Sequence, residues 1–162
     1  MKRDGLLWLI GGVMLFMTLK TYAAPKQAEK YLELFKFVES ESGIPIGLLT
    51  RLAQQESFFN ASATNPSGAQ GLMQIIPKFH PGVDPFKPEE AIPYAAKFLR
   101  AQFERFGSWR AALAAYNWGP GNVNAALRKH AGSIDEMLRD TELVPKETRN
   151  YVAQITTDVP VA

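Results

Sequence analysis

From Lys26 onward, apolar positions recur at intervals of three and four, and prolines and glycines interrupt the pattern. Such spacing marks helices with one buried face. Lys26 to Ser42 carries Tyr31, Leu34, Phe35 and Val38 on one stripe, and "SGIP" breaks it. Ile46 to Glu56 is predicted as a second helix, with Ile46, Leu49, Leu52 and Ala53 facing inward. Asn60 to Ala69 is a loop of small and polar residues. Gly71 to Phe79 is expected to form a short helix closed by "HPGVDP". Pro88 to Phe106 is a long helix built on Ile92, Ala95, Ala96, Leu99 and Phe103. Gly107 ends it, and Ser108 caps the next, Trp109 to Asn117. "WGPG" interrupts before Asn122 to His130. Ser133 and Glu136 have capping-box spacing at the start of a short helix reaching Asp140. Pro145 opens the last helix, which ends near Thr157. No stretch alternates as a strand would, and nothing repeats. The expected fold class is mainly α, a compact set of short helices around one core, with any site on the loops between them.

The first 24 residues follow another pattern. Lys2 and Arg3 precede an uncharged run, "GLLWLIGGVMLFMTL", and "TYAAP" follows Lys20. A membrane span needs about 20 apolar residues, or roughly 17 at least. The run is shorter than that, and its flanks are those of an export signal. A cleaved signal is the favoured reading; an uncleaved anchor is the alternative. With residues 1–24 set aside, Lys2, Arg3 and Lys20 leave the basic count, taking it from 18 to 15, and Asp4 leaves the acidic count, taking it from 16 to 15. A neutral domain argues against nucleic acid as the main partner, because phosphate binding needs a basic surface. A neutral polar polymer fits better.

Composition narrows the chemistry further. The chain has 162 residues, 46% of them hydrophobic, enough for one domain with a real core. It has no cysteine, which excludes disulfides, thiolate nucleophiles and zinc knuckles. His80 and His130 match no metal-ligand spacing and are expected as ordinary surface residues. No metal and no cofactor is expected.

One acid then stands out. In "QQESFFNASATNPSGAQGLMQ", Gln54 to Gln74, Glu56 is the single charge. It falls at the end of the second helix, where the dipole disfavours an anion. Its neighbours one turn back, Leu52 and Ala53, are apolar, and no cation adjoins it downstream. All of this raises the pKa. An ordinary Glu, with a pKa of about 4.3, is only about 0.2% protonated at pH 7. At a pKa of about 6 to 7 the protonated share becomes large enough for a general acid. A proton donor in a cleft suits glycosidic-bond cleavage. Most glycosidases need a second carboxylate, and none is evident near Glu56 in sequence; Asp84 lies in a turn-forming "PGVDPF" loop. Without a second acid, the substrate itself must supply the nucleophile.

Three stretches, "QESFFNASATNPSGAQGLMQIIP", "ALAAYNWGPGNV" and "PKETRNYV", occur in an order that resembles the family 1 lytic transglycosylases, the soluble-lytic-transglycosylase catalytic domain with a goose-lysozyme-like fold. The likeness runs from about Ile44 to Ile155. It implies cleavage of the β-1,4 bond between N-acetylmuramic acid and N-acetylglucosamine in peptidoglycan, leaving 1,6-anhydro ends. It implies that Glu56 acts first as acid and then as base. It also implies substrate-binding roles for Ser57, Met73, Gln74, Tyr116, Asn117 and Tyr151, with Tyr116 helping to hold the carboxyl and Tyr151 near it. Two positions depart from the pattern. Asn65 stands where many members have Ser, and Trp118 follows "AYN" where a small residue is usual. The expected organisation is an export signal or anchor over 1–24, an N-terminal helix over 25–43, the catalytic domain over 44–157 and a tail over 158–162. The partner implied is the peptidoglycan glycan strand. An inner-membrane tether and a wall-spanning or virion assembly are left open. The implied location is the periplasm or cell envelope, membrane-anchored or free, with a virion as the alternative. Two other functions remain to be separated from this one: a hydrolytic muramidase and a wall-binding module without turnover.

Overall fold

A computed structural model of the chain describes residues 25–157, 159 and 161. The expected export segment, residues 1–24, lies outside them. A 3-10 stretch, Lys26–Tyr31, leads into α1, Leu32–Ser42. Then come α2, Leu48–Ser57, α3, Pro88–Phe106, α4, Trp109–Trp118, and α5, Pro120–Lys129. The chain closes with α6, Ile134–Arg139, and α7, Lys146–Thr156. Among the described residues there is no β-strand, only isolated bridges pairing Thr64 with Gln70 and Gln70 with Ile75. The molecule is mainly helical, and its boundaries follow the punctuation. Gly43 and Gly107 end α1 and α3 in the left-handed region, at φ 61° and 68°. Ser108 and Ser133 cap α4 and α6, accepting from the amides of Ala111 and Glu136.

The core is organised around α4. Ala111 to Ala115 are all buried, and the helix packs against α3, α5 and α7 at once. Alanine suits a helix with neighbours on every side, because its small side chain lets their backbones approach. The residues expected as an N-terminal helix join the same core, with Phe35 and Val38 packed among Leu48, Leu49 and Leu52. Val159, in the expected tail, is buried as well. Helix α2 packs against α1 and α7. The acid-bearing helix and the last helix are therefore neighbours, although 95 residues separate Glu56 from Tyr151.

One expected element is absent. Gly71 to Phe79 is not a helix; residues 71–74 form a turn whose ends pair as an antiparallel bridge. Gln70 donates its amide to Ile75 at 3.0 Å, and Ile75 returns one at 2.9 Å. The reason lies at Gly71, which sits at φ 72°, and an added Cβ there would lie 1.7 Å from the Pro85 carbonyl oxygen. The turn thus presses its backbone onto the 80–87 loop, and only glycine permits that approach. Gln74 consequently lies at the end of a turn, at φ 48°, and not on a helix. Gly68 meets nothing within 4 Å, so its glycine serves the left-handed φ of 88° alone.

Candidate active site

Glu56 occupies the last turn of α2, half-buried, with its carboxyl turned towards α7. The Tyr151 hydroxyl donates to its Oε1. Burial pushes the Glu56 pKa up to about 7; the Tyr151 hydrogen bond pulls against this, and the charge of Glu147 adds to it. No cation is bonded to the carboxyl among the described residues. Glu147 stands four residues before Tyr151 on α7, so both occupy one helix face. Both tyrosines near the acid are pushed well above the usual phenol range, mainly by burial and next by the Glu56 charge. They therefore remain hydrogen-bond donors at any working pH.

The remaining candidates are mostly tied to the scaffold. The Ser57 hydroxyl donates to the Leu72 carbonyl at 2.8 Å, joining the end of α2 to the following turn. Met73 is fully buried in the core. Its carbonyl accepts the Tyr116 hydroxyl at 2.7 Å. The Glu56 carboxyl is thus bonded by Tyr151, while Tyr116 fixes the main chain of the turn from the end of α4. Gln74 donates to the Gly71 carbonyl at 2.9 Å and accepts from Asn65 Nδ2 at 3.1 Å. Asn65 also accepts from the Ser67 hydroxyl at 2.6 Å and from the Ala69 amide at 3.0 Å. The departure at position 65 therefore supplies an amide that organises the loop and aims Gln74. Asn117 accepts from the Thr148 hydroxyl at 2.7 Å, joining α4 to the start of α7. Trp118 packs against the core edge, and its carbonyl accepts from Asn122.

Of two concavities, the first reaches Gln74 and Tyr116, and the second is lined by none of these residues. The first, of about 80 Å³, is lined by Gln74, Ile76, His80, Tyr94, Phe98 and Tyr116. His80 was expected as an ordinary surface residue. It is instead half-buried between the Tyr94 and Phe98 rings, and its Nδ1 lies 3.0 Å from the Tyr94 hydroxyl. Burial lowers its pKa, which favours the neutral ring. The second concavity, of about 350 Å³, lies between the C-terminal ends of α2 and α7. Among the described residues no group of three His, Asp or Glu side chains could hold a metal ion.

A half-buried, protonatable acid held by a tyrosine at the junction of two helices is the geometry to set beside known proteins. The family model described as Transglycosylase SLT domain matches residues 33–138. The chain belongs to this family. It is 35% identical over 139 residues to the soluble lytic murein transglycosylase of Escherichia coli, a match covering 77% of this chain and 22% of that relative. It is 36% identical over 125 residues to the membrane-bound lytic murein transglycosylase F of Alcanivorax borkumensis, covering 69% of this chain and 27% of the other. Among solved structures, the 70 kDa soluble lytic transglycosylase of Escherichia coli superposes with a TM-score of 0.67 at 34% identity, over 77% of this chain and 22% of that one. The complex of the 70 kDa enzyme with bulgecin A gives 0.68 at 33% identity, over 80% of this chain and 23% of the other. The chain thus spans about a quarter or less of the length of these family members.

Sequence reasoning missed Glu147. The signal was present in "PKETRNYV", where Glu147 precedes Tyr151 by one helical turn, but nothing local revealed that this face meets Glu56.

Proposed function

We propose that this chain is a peptidoglycan lytic transglycosylase with a goose-lysozyme-like catalytic domain over 44–157. The observation that carries the reading is Glu56: half-buried, with a pKa raised to about 7, and bonded by Tyr151. A group with that pKa is about half protonated at pH 7, so it can give up a proton and take one back in a single turnover. In the first step Glu56 protonates the bridging oxygen as its bond to C1 of the muramoyl residue breaks. The Tyr151 hydroxyl then stabilises the new carboxylate. In the second step the C6 hydroxyl of the same residue bonds to C1, and its proton passes to Glu56. A 1,6-anhydro ring forms, no water is consumed, and the enzyme returns to its starting state. Tyr116, which feels the Glu56 charge, lines one concavity with Gln74, and Asn117 follows it at the end of α4; amides and hydroxyls there suit acetamido and hydroxyl groups.

The names of the relatives support murein as the substrate and the cell envelope as the site of action. Among the described residues no helix is long and apolar enough to cross a membrane. Export or anchoring through residues 1–24 is part of the proposal.

The test is digestion of purified cell wall by the full chain. Glu56→Gln is expected to lower wall clearing by at least about a thousandfold while the protein still sediments with peptidoglycan. Mass spectrometry of wild-type digests is expected to show 1,6-anhydro ends. Reducing ends alone would make the enzyme a hydrolytic muramidase. Absence of any turnover in the wild type would make the chain a wall-binding module.

A further inference from the structure

Gln74 is held in a strained conformation at the wall of the smaller concavity. Its φ of 48° lies in the left-handed region, which a long side chain disfavours. It shares that concavity with Tyr116, the tyrosine that feels the Glu56 charge. Strain at a pocket wall points to a side chain held for function. What holds it is a lock of side-chain and backbone hydrogen bonds, and backbone groups with fixed roles decide its orientation.

The Ala69 N–H can only donate, so the Asn65 atom that accepts from it at 3.0 Å is Oδ1. The Ser67 hydroxyl donates to the same oxygen at 2.6 Å. Asn65 therefore turns its Nδ2 to Gln74, and the atom it meets at 3.1 Å is Oε1. At the other end, the Gly71 and Ala63 carbonyls can only accept. They take the Gln74 Nε2 protons at 2.9 and 3.5 Å. Both donors of the Gln74 amide are used within the protein, and one lone pair of Oε1 is left. We propose that Asn65 is a positioning residue that fixes Gln74 as a hydrogen-bond acceptor. The group that Gln74 meets in the cleft is then a hydroxyl or an amide N–H, and not a carbonyl oxygen. This rests on the reading of Gln74 as a substrate contact given above. A serine at position 65 brings one oxygen to do what the Asn amide does with two atoms. Without the Asn65 N–H, the Gln74 amide is no longer tied at its oxygen and can turn its donors to a ligand. The departure at position 65 thus sets the polarity of a neighbouring side chain without itself touching substrate.

Asn65→Asp is the informative variant. It keeps the oxygen that serves Ala69 and Ser67 and removes the N–H that serves Gln74. Steady-state kinetics on soluble glycan strands are measured with the full chain, for the wild type, Asn65→Asp, Gln74→Met and the double variant. Asn65→Asp is expected to raise KM about fivefold with kcat within about twofold, and the double variant to match Gln74→Met. The Gln74 side-chain amide protons, identified in nuclear magnetic resonance spectra by their loss in Gln74→Met, are expected to exchange with solvent about tenfold faster in Asn65→Asp. Asn65→Ser is expected to move KM and exchange in the same direction, and it carries the test if Asn65→Asp fails to fold. Effects of the two single variants that multiply in the double variant would mean that position 65 acts independently of Gln74, and would overturn the proposal. An unchanged KM in Asn65→Asp makes Asn65 a brace for the loop alone and also overturns it. An unchanged KM in Gln74→Met overturns it as well, and leaves the glycan reading standing. A wild type that turns over no glycan strand removes the substrate reading on which the proposal depends.

Discussion

At the scale of single residues, the acid is tuned by groups from different parts of the chain. Burial raises the Glu56 pKa most, the Tyr151 hydroxyl opposes it, and the negative charge of Glu147 raises it further. Tyr151 and Glu147 approach from α7, and Tyr116 lies nearby on α4. Glu147→Gln removes the like charge and leaves burial intact. The Glu56 pKa is then expected to fall, by less than burial raises it. The alkaline limb of the pH–rate profile for wall clearing should move to lower pH, with the enzyme still active in mild acid. An alkaline limb identical to that of the wild type would show that the acid does not feel Glu147. The part of this arrangement legible in sequence was the local part. Leu52 and Ala53 lie one turn from Glu56, so an apolar setting could be read directly. Tyr151 entered only through resemblance, because a contact between residues 56 and 151 leaves no trace in local spacing. Glu147 was missed for the same reason.

At the scale of elements, the helix that carries Glu56 is held at its other end by a residue that pattern alone does not single out. Helix α2 begins after Gly47, which offers no side-chain cap. Glu39 of α1 takes that role across the intervening turn. Its carboxylate accepts from the Gly47 amide at 2.8 Å and the Leu49 amide at 2.7 Å. It is buried, as Leu49 is, and burial raises its pKa against the pull of the Gly47, Leu49 and Thr50 amides. In sequence Glu39 is one of several acids in "VESES", and nothing nearby sets it apart from a solvated surface charge. Glu39→Ala leaves two amides at the buried start of α2 without a partner, which costs about 2–4 kcal/mol. Urea unfolding at pH 7 should record that loss, with Glu39→Gln intermediate because it keeps one acceptor. A loss below about 0.5 kcal/mol would mean that the amides find water instead. The Gly71–Phe79 stretch shows the opposite failure. Leu72, Ile75, Ile76 and Phe79 are spaced as a helix would space them, but the left-handed turn and the contact at Pro85 prevailed. Helical period describes which positions are apolar, and a buried loop can share it.

At the scale of the whole molecule, the site should appear as a stability defect that depends on pH. Glu56 and Glu39 both have raised pKa values in the fold, so the folded chain holds their protons more tightly than the unfolded chain does. Stability is then greatest where both are protonated, and it falls as pH rises through the ordinary carboxylate range towards about 7 for Glu56. Glu90, Asp135 and Asp140 have lowered values and act in the opposite sense, losing their contribution only as the solution becomes more acidic than the ordinary carboxylate range. His80, lowered by burial, also favours higher pH. These other groups are common to the wild type and Glu56→Gln, so the difference between the two proteins isolates the acid. A rise from the ordinary carboxyl value of 4.5 to about 7 corresponds to about 3 kcal/mol, an upper figure for a half-buried side chain. Glu56→Gln should therefore match the wild type within about 1 kcal/mol at pH 4.5 and exceed it by about 2–3 kcal/mol at pH 8. Denaturant unfolding at the two pH values checks this. Equal slopes with pH in both proteins would mean that the carboxyl is as well solvated in the fold as outside it, and no acid poised near neutrality would remain. The expected divergence would tie function to cost. The fold gives up stability at the pH where the proton donor must work, and the buried alanine helix and the cap on α2 supply the margin that makes this tolerable.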